Sequence, residues 1–214
     1  VSPSHDVAPL QAVIDSLRAT GHANVQVAAD ANGSYRPTQP AHADALRRLD
    51  ALGLAWIEQP FPAELLVDLA RLAQRLDTPI CLDESLTGAE KARKAIELGA
   101  GRVFNVKPAR LGGHGESLRV HALAQSAGIP LWMGGMLEAG VGRAHNLHLA
   151  TLPGFTKPGD VSSASRYWKE DIVEEALEAK DGLMPVPEGV GIGVHLKLPF
   201  VERVTLWQRY MSAS

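Results

Sequence analysis

The chain is most informative at first for what it lacks. Its 214 residues hold a single cysteine, Cys81, so no disulfide can form within it, which fits a reducing compartment and makes the cytoplasm the expected location. No run approaches the roughly 18 apolar residues a spanning helix needs, and no basic stretch precedes an apolar core, so neither a membrane span nor a signal peptide is expected. Charge of either sign is nearly balanced, at −3 net. That gives no basic face for nucleic acid or an anionic membrane, and neither is expected as a partner. There is no low-complexity linker. What remains is an ordinary globular composition, 45% apolar and 21% charged, long enough for one sizeable core.

Apolar runs alternate with helical patterns along the chain. Strands are expected at 24–30, 54–58, 79–83, 102–107 and 130–135, with a weaker sixth at 155–161. Helical patterns lie at 6–19, 40–52, 62–76, 89–98, 114–127 and about 141–150. Stretches such as Ala55-Trp56-Ile57 and Ile80-Cys81-Leu82 are apolar at consecutive positions, as parallel strands buried on both faces are. The alternation predicts βα units. After about residue 174, Pro185, Pro187, Gly189, Gly191 and Gly193 predict an extension of turns and short strands with no further helical unit. About six units fit either a doubly wound sheet or a barrel.

The strand ends favour the barrel. The first four strands finish on Asp30, Glu58, Asp83 and Lys107, at intervals of 28, 25 and 24 residues. Each interval is about one βα unit, so successive parallel strands deliver three carboxylates and one lysine to a common rim, where barrel enzymes carry their active sites. One acidic residue at a strand end is ordinarily a helix cap or a solvated loop residue; three in register are not easily accidental. Crowded carboxylates raise one another's pKa, and a divalent cation relieves that repulsion. Oxygen ligands alone favour a hard ion, Mg²⁺ first and Mn²⁺ second.

Short motifs around these residues carry a resemblance. Asp30-Ala31-Asn32, Ile57-Glu58-Gln59-Pro60, Cys81-Leu82-Asp83-Glu84-Ser85 and Asn105-Val106-Lys107-Pro108 resemble the metal-ligand and lysine motifs of the muconate-lactonizing branch of the enolase superfamily. Gly134-Gly135-Met136-Leu137-Glu138, Gly142-Arg143-Ala144-His145-Asn146, Pro158-Gly159-Asp160-Val161-Ser162-Ser163 and Arg166-Tyr167-Trp168 follow in order. Together they are most similar to the o-succinylbenzoate synthase and N-acylamino acid racemase group. The resemblance implies a (β/α)7β barrel of TIM type, incomplete here, with about six of eight strands and without the capping domain. The whole chain would form one partial barrel domain ending in the extension described above.

The resemblance also implies roles. Asp30, Glu58 and Asp83 would hold Mg²⁺, with Asn32 and Glu84 beside them orienting the ligands. Lys107 would be a catalytic lysine. Gly135, Met136, Glu138, Asp160 and Ser162 would line the pocket of a small carboxylate substrate. The chemistry would be abstraction of the proton α to that carboxylate through an enediolate. Dehydration would then give o-succinylbenzoate, a menaquinone precursor; return of the proton to the other face would racemise an N-acylamino acid. Family members often assemble as homo-oligomers. One departure matters. The family's Lys-x-Lys motif on the second barrel strand has no counterpart, and its place falls just before Val1. The chain as given is therefore expected to turn over weakly or not at all, and a non-catalytic fragment is the alternative.

Overall fold

The structure is a computed structural model, and it describes residues 1–211. Two compact units divide it: Val1–Trp132 with Pro153–Pro158, and Met133–Leu152 with the described residues from Gly159 on.

The first unit is built from βα repeats. Its strands are β1 (Ala29–Asp30), β2 (Ile57–Glu58), β3 (Ile80–Leu82), β4 (Val103–Val106) and β5 (Leu131–Met133), the last running into the second unit. The helices are α1 (Val7–Ala19), α2 (Pro40–Asp50), α3 (Leu66–Ala73), α4 (Ala89–Leu98), α5 (Pro108–Leu111) and α6 (His114–Ser126). The sheet order is β1-β2-β3-β4-β5, and the first three pairings are parallel. A doubly wound sheet reverses its order at a switch point; this one follows the chain without reversal, as a wound βα series does. Strands β2, β3 and β4 are buried on both faces, as the apolar runs predict: Ile57, Ile80, Cys81, Leu82 and Phe104 have no exposed surface. Leu46 and Leu49 from α2, Leu69 from α3 and Val120 from α6 are buried as well. Helix α4 ends on Gly99 at φ +66°, a left-handed cap that glycine adopts without a side-chain penalty.

Several expected elements are shorter than the apolar pattern. The ladders hold for only two to four residues, although single bonds such as Ala31 N–H to Glu58 O at 3.0 Å extend them. Helix α3 begins at Leu66 rather than Pro62, after a turn closed by Leu65 N–H to Pro62 O. The sixth strand is reduced to one parallel bridge, Leu131 with Phe155. Thr156 and Lys157 both donate to Leu131 O, and Pro158 has no N–H to continue a ladder.

Asp50, the last residue of α2, ties that helix to the turn before β3. Its Oδ1 accepts Thr78 N–H at 2.7 Å and its Oδ2 accepts Asp77 N–H at 3.3 Å. Burial pushes the Asp50 carboxyl up, but those hydrogen bonds and the Arg102 charge outweigh it and hold it below its ordinary range. A depressed folded pKa contributes stability above the unfolded value, and that stability is lost as pH falls through the folded pKa. Asp50→Ala is therefore expected to lower unfolding free energy by about 1–2 kcal/mol at pH 7. The gap between wild type and variant should close toward pH 2; urea titrations at both pH values test this, and a gap that stays constant with pH rules it out.

The second unit contains α7 (Gly140–Ala150), a 3-10 turn (Ala164–Arg166) and α8 (Leu198–Val204). Ala144, Leu147 and Leu177 form its small core, with Val161, Met184, Ile192 and Val194 packed against it. Beyond residue 173 the expected short strands appear as single bridges, Val173 with Leu196 and Lys180 with Leu183. The expectation of no further helix there is corrected by α8, whose Pro199 sits where a helix start needs no N–H donor. Among the described residues no helix is long and apolar enough to cross a membrane.

Candidate active site

Parallel register brings the chemistry-bearing residues to consecutive strand ends. Asp30 lies opposite Glu58 in the β1–β2 pair. Asp83 follows the last residue of β3, and Lys107 follows the last residue of β4. Pro108 then opens α5 at the position where a missing N–H is harmless.

Each carboxylate has its own protein partner. Asp30 accepts the Asn32 N–H on Oδ1 and the Asn32 side-chain amide on Oδ2, both at 2.9 Å. The same amide reaches Glu84 Oε1 at 3.2 Å, so Asn32 links the two acids. Glu58 is 4% exposed and accepts Asn105 Nδ2 at 2.8 Å. Burial pushes Glu58 up to about 7; the Asn105 bond and Lys107 oppose the rise, and the Asp30 and Asp83 charges add to it. Asp83 sits between two cations. Lys107 Nζ lies 2.8 Å from its Oδ2 and Arg110 Nη1 lies 2.6 Å from its Oδ1. The second contact is an ion pair without hydrogen-bond alignment, which leaves Oδ1 buried with no donor. Glu84 Oε2 and Asn105 Oδ1 are likewise buried and unsatisfied.

In this arrangement the three carboxylates do not close on a common point: among the described residues no group of three or more His, Cys, Asp or Glu side chains is placed to hold a metal ion. The reason is visible in the partners. Lys107 and Arg110 pair with Asp83, and amides bond to Asp30 and Glu58. The donor chemistry nevertheless fits a hard cation. The ligand atoms are all oxygens, a buried carboxylate oxygen lacks a donor, and burial, with the Asp30 and Asp83 charges adding to it, pushes the Glu58 carboxyl up to about 7, a cost that a cation would relieve.

Two residues of this cluster carry no signal of their own in the sequence. Arg110 looks like a surface charge until α5 turns it onto Asp83. Gln59 looks like a neutral loop residue. It has no exposed surface, and its side chain makes four hydrogen bonds. Its Oε1 accepts Asp83 N–H at 3.0 Å and Ser85 N–H at 3.1 Å, while Nε2 donates to Phe61 O at 2.9 Å and Ser85 Oγ at 2.8 Å. Gln59 thus sets where Asp83 leaves β3. Gln59→Ala strands two buried N–H groups, and a loss of about 3 kcal/mol is expected from such orphans. Urea unfolding measures it; a loss under 1 kcal/mol would mean water takes over the bonds.

Cys81 lies beneath the acids, fully buried, with Trp132 Nε1 donating to its Sγ at 3.3 Å. Burial and the nearby carboxylates hold its thiol well above the usual range. Trp132 in turn lies 5.8 Å from Trp56, ring centre to ring centre.

The residues expected to line the substrate pocket lie in the second unit. Gly135 approaches Asp160 O so closely that a Cβ would collide with that carbonyl. Met136 is 51% exposed, and Ser162 Oγ lies 3.4 Å from Asp160 Oδ1. Glu138 is engaged within its own unit: Oε2 accepts Met136 N–H at 2.8 Å and Oε1 accepts Asn146 Nδ2 at 2.9 Å.

Comparison with known proteins gives these positions their context. The chain is 75% identical, over all of its 214 residues, to the N-succinylamino acid racemase of Thermus thermophilus, covering 56% of that protein. It is 50% identical to the o-succinylbenzoate synthase of Geobacillus stearothermophilus over 85% of the chain and 48% of the relative. An enolase-superfamily protein of Enterococcus faecalis V583, solved by crystallography, superposes with a TM-score of 0.86 at 39% identity, over 95% of this chain and 53% of that one. The chain thus spans about half the length of the curated relatives it matches. The model of the enolase C-terminal domain-like family matches residues 2–199; with 198 of 214 positions inside that match, the chain belongs to this family.

Proposed function

We propose that this chain supplies the metal ligands and a catalytic lysine of an enzyme that removes the proton α to a carboxylate. The observation that carries the proposal is the run of strand ends. Asp30, Glu58, Asp83 and Lys107 stand at or just past the ends of β1 to β4, and Lys107 contacts Asp83 at 2.8 Å. Asp30, Glu58 and Asp83 are the residues that would hold Mg²⁺, or Mn²⁺ in its place. The cation would act as a Lewis acid on the substrate carboxylate, whose α-proton is otherwise too weakly acidic to remove. Asn32 and Asn105 hold Asp30 and Glu58 in place through their amides. Lys107 takes the α-proton or, as a cation, faces the charge that develops when it leaves. Gly135, Met136, Glu138, Asp160 and Ser162 are the proposed contacts to the rest of the substrate.

Dehydration to o-succinylbenzoate is the outcome we favour, as in the Geobacillus relative by its name. Racemisation of an N-succinylamino acid is a second outcome, favoured by the name of the 75% identical relative. It needs a second proton carrier on the opposite face, since one lysine serves one face. The test uses the whole protein with Mg²⁺ in D₂O. Deuterium entering the α-position of an N-succinylamino acid, or formation of o-succinylbenzoate from its β-hydroxy acid precursor, supports the proposal and separates the two outcomes. Metal binding with neither exchange nor elimination rejects it.

A further inference from the structure

Arg143 is the largest side chain with no exposed surface, and no carboxylate lies within ion-pair distance of it among the described residues. The Glu178 carboxylate is near enough to feel its charge, but a buried guanidinium with no direct ion pair is costly unless its hydrogen bonds are good. Arg143 makes two, both to backbone carbonyls of loops. Nη1 donates to Ser162 O, and Nη2 donates to Glu138 O at 2.8 Å. Trp168 Nε1 donates to the same Glu138 carbonyl at 3.1 Å. The Arg143 Nε is buried with no acceptor, so the fork geometry serves the two carbonyls at the expense of the third donor.

Three residues further along α7, Asn146 holds the Glu138 carboxylate, whose other oxygen takes the Met136 N–H. One helix therefore grips the loop that carries Gly135 and Met136 through both Glu138 groups. Through Arg143 it also grips the loop that carries Asp160 and Ser162. The start of α7 is itself pinned, because Gly140 N–H donates to Asp171 Oδ1 at 2.8 Å and Val173 fills the space a Cβ there would need. Gly135 lets the two loop backbones touch. Their separation is thus fixed by protein groups before any ligand arrives.

We infer that Arg143 is a positioning residue that sets the gap between the 135–138 and 160–162 loops and so selects the substrate by the size of the part that does not react. This rests on the proposed assignment of Gly135, Met136, Asp160 and Ser162 as substrate contacts. A planar fork bonding two carbonyls is not replaced by a lysine, which offers a point charge. Binding held to within a fraction of an ångström is what such a shell provides.

The test compares Arg143→Lys and Arg143→Gln with wild type in the whole protein, using N-succinyl- and N-acetylamino acids as alternative substrates. In both variants KM for the succinyl substrate should rise about tenfold and the preference over acetyl should fall about tenfold, the range one misfitted group gives. kcat should change less than threefold, and Mg²⁺ affinity less than twofold. Trp168→Phe, which keeps the fork but removes the second donor to Glu138 O, should shift KM in the same direction by less. If Arg143→Gln is too unstable to assay, the lysine variant and Trp168→Phe still decide. Folded variants with unaltered KM and preference overturn the inference. If wild type shows no α-proton chemistry, the proposed function fails, and amide exchange decides the latch separately. Faster exchange at 135–138 and 160–162 in Arg143→Gln supports it, and unchanged exchange overturns it.

Discussion

Replacing Lys107 by methionine in the whole protein should lower the rate of α-proton exchange about 10³-fold, within the 10²–10⁴ range a positioned acid–base group contributes. Methionine keeps most of the side-chain volume and removes the ammonium. Asp83 does not become an unpaired buried charge, since Arg110 stays 2.6 Å from it. The fold should therefore survive with a loss of about 1–2 kcal/mol, and Mg²⁺ should still bind. Lys107→Arg sharpens the result. Arginine keeps the positive charge but does not release a proton at accessible pH. If the lysine is a base, the arginine variant is as slow as the methionine one. If the lysine acts only as a cation beside the substrate, arginine restores a measurable fraction of elimination. Loss of the α-proton NMR signal in D₂O reads both variants, and wild-type exchange in Lys107→Met would remove Lys107 from the mechanism.

Asp83→Ala should cost about 3–5 kcal/mol of stability in the metal-free protein, the usual penalty for removing one partner from a buried pair. Asp83 has a side-chain exposure of 2%, and the two cations it neutralises are themselves only 15% and 20% exposed. Truncation leaves both ammonium and guanidinium facing each other with no anion between them. A double variant, Asp83→Ala with Arg110→Met, should recover part of the loss, because it removes one of the stranded charges; the coupling between the two changes measures their interaction. Stabilisation by Mg²⁺ should disappear in both variants, as a lost ligand removes the linkage between binding and folding. Urea midpoints with chelator and with Mg²⁺ test all of this. A single variant that unfolds within 1 kcal/mol of wild type would show that the cations find water instead.

The βα series was legible because strands buried on both faces are apolar at consecutive positions, and because acids and a lysine recurred at one repeat length, from Asp30 to Lys107. Strand lengths were not. Apolar runs mark burial, while ladders also need N–H groups in register, and Pro79, Pro130 and Pro158 supply none at the margins. Helix α5 has four residues and α8 seven, too few to show a 3.6-residue period. In the site, residue types were legible and partners were not. Asn105 stands two positions before Lys107, the alternation that sets both on one strand face, but its bond to Glu58 depends on β2 and β4 approaching across β3. The same holds for Gln59 and Arg110, whose roles come from where neighbouring strands place Asp83. The sequence places Glu138 at the substrate; that its carboxylate also braces its own loop is visible only in the structure. A sequence shows that an acid is present at a strand mouth, not which donor reaches it first.

The position of Cys81 gives the molecule an internal clock. Its sulfur is sealed under the carboxylate layer and capped by an indole, so an alkylating reagent can meet it only when β3 parts from its neighbours. Because it is the chain's sole thiol, the pace of modification counts those openings and nothing else. An ion bridging the strand ends above it would slow that pace, making occupancy of the rim readable from chemistry at the floor.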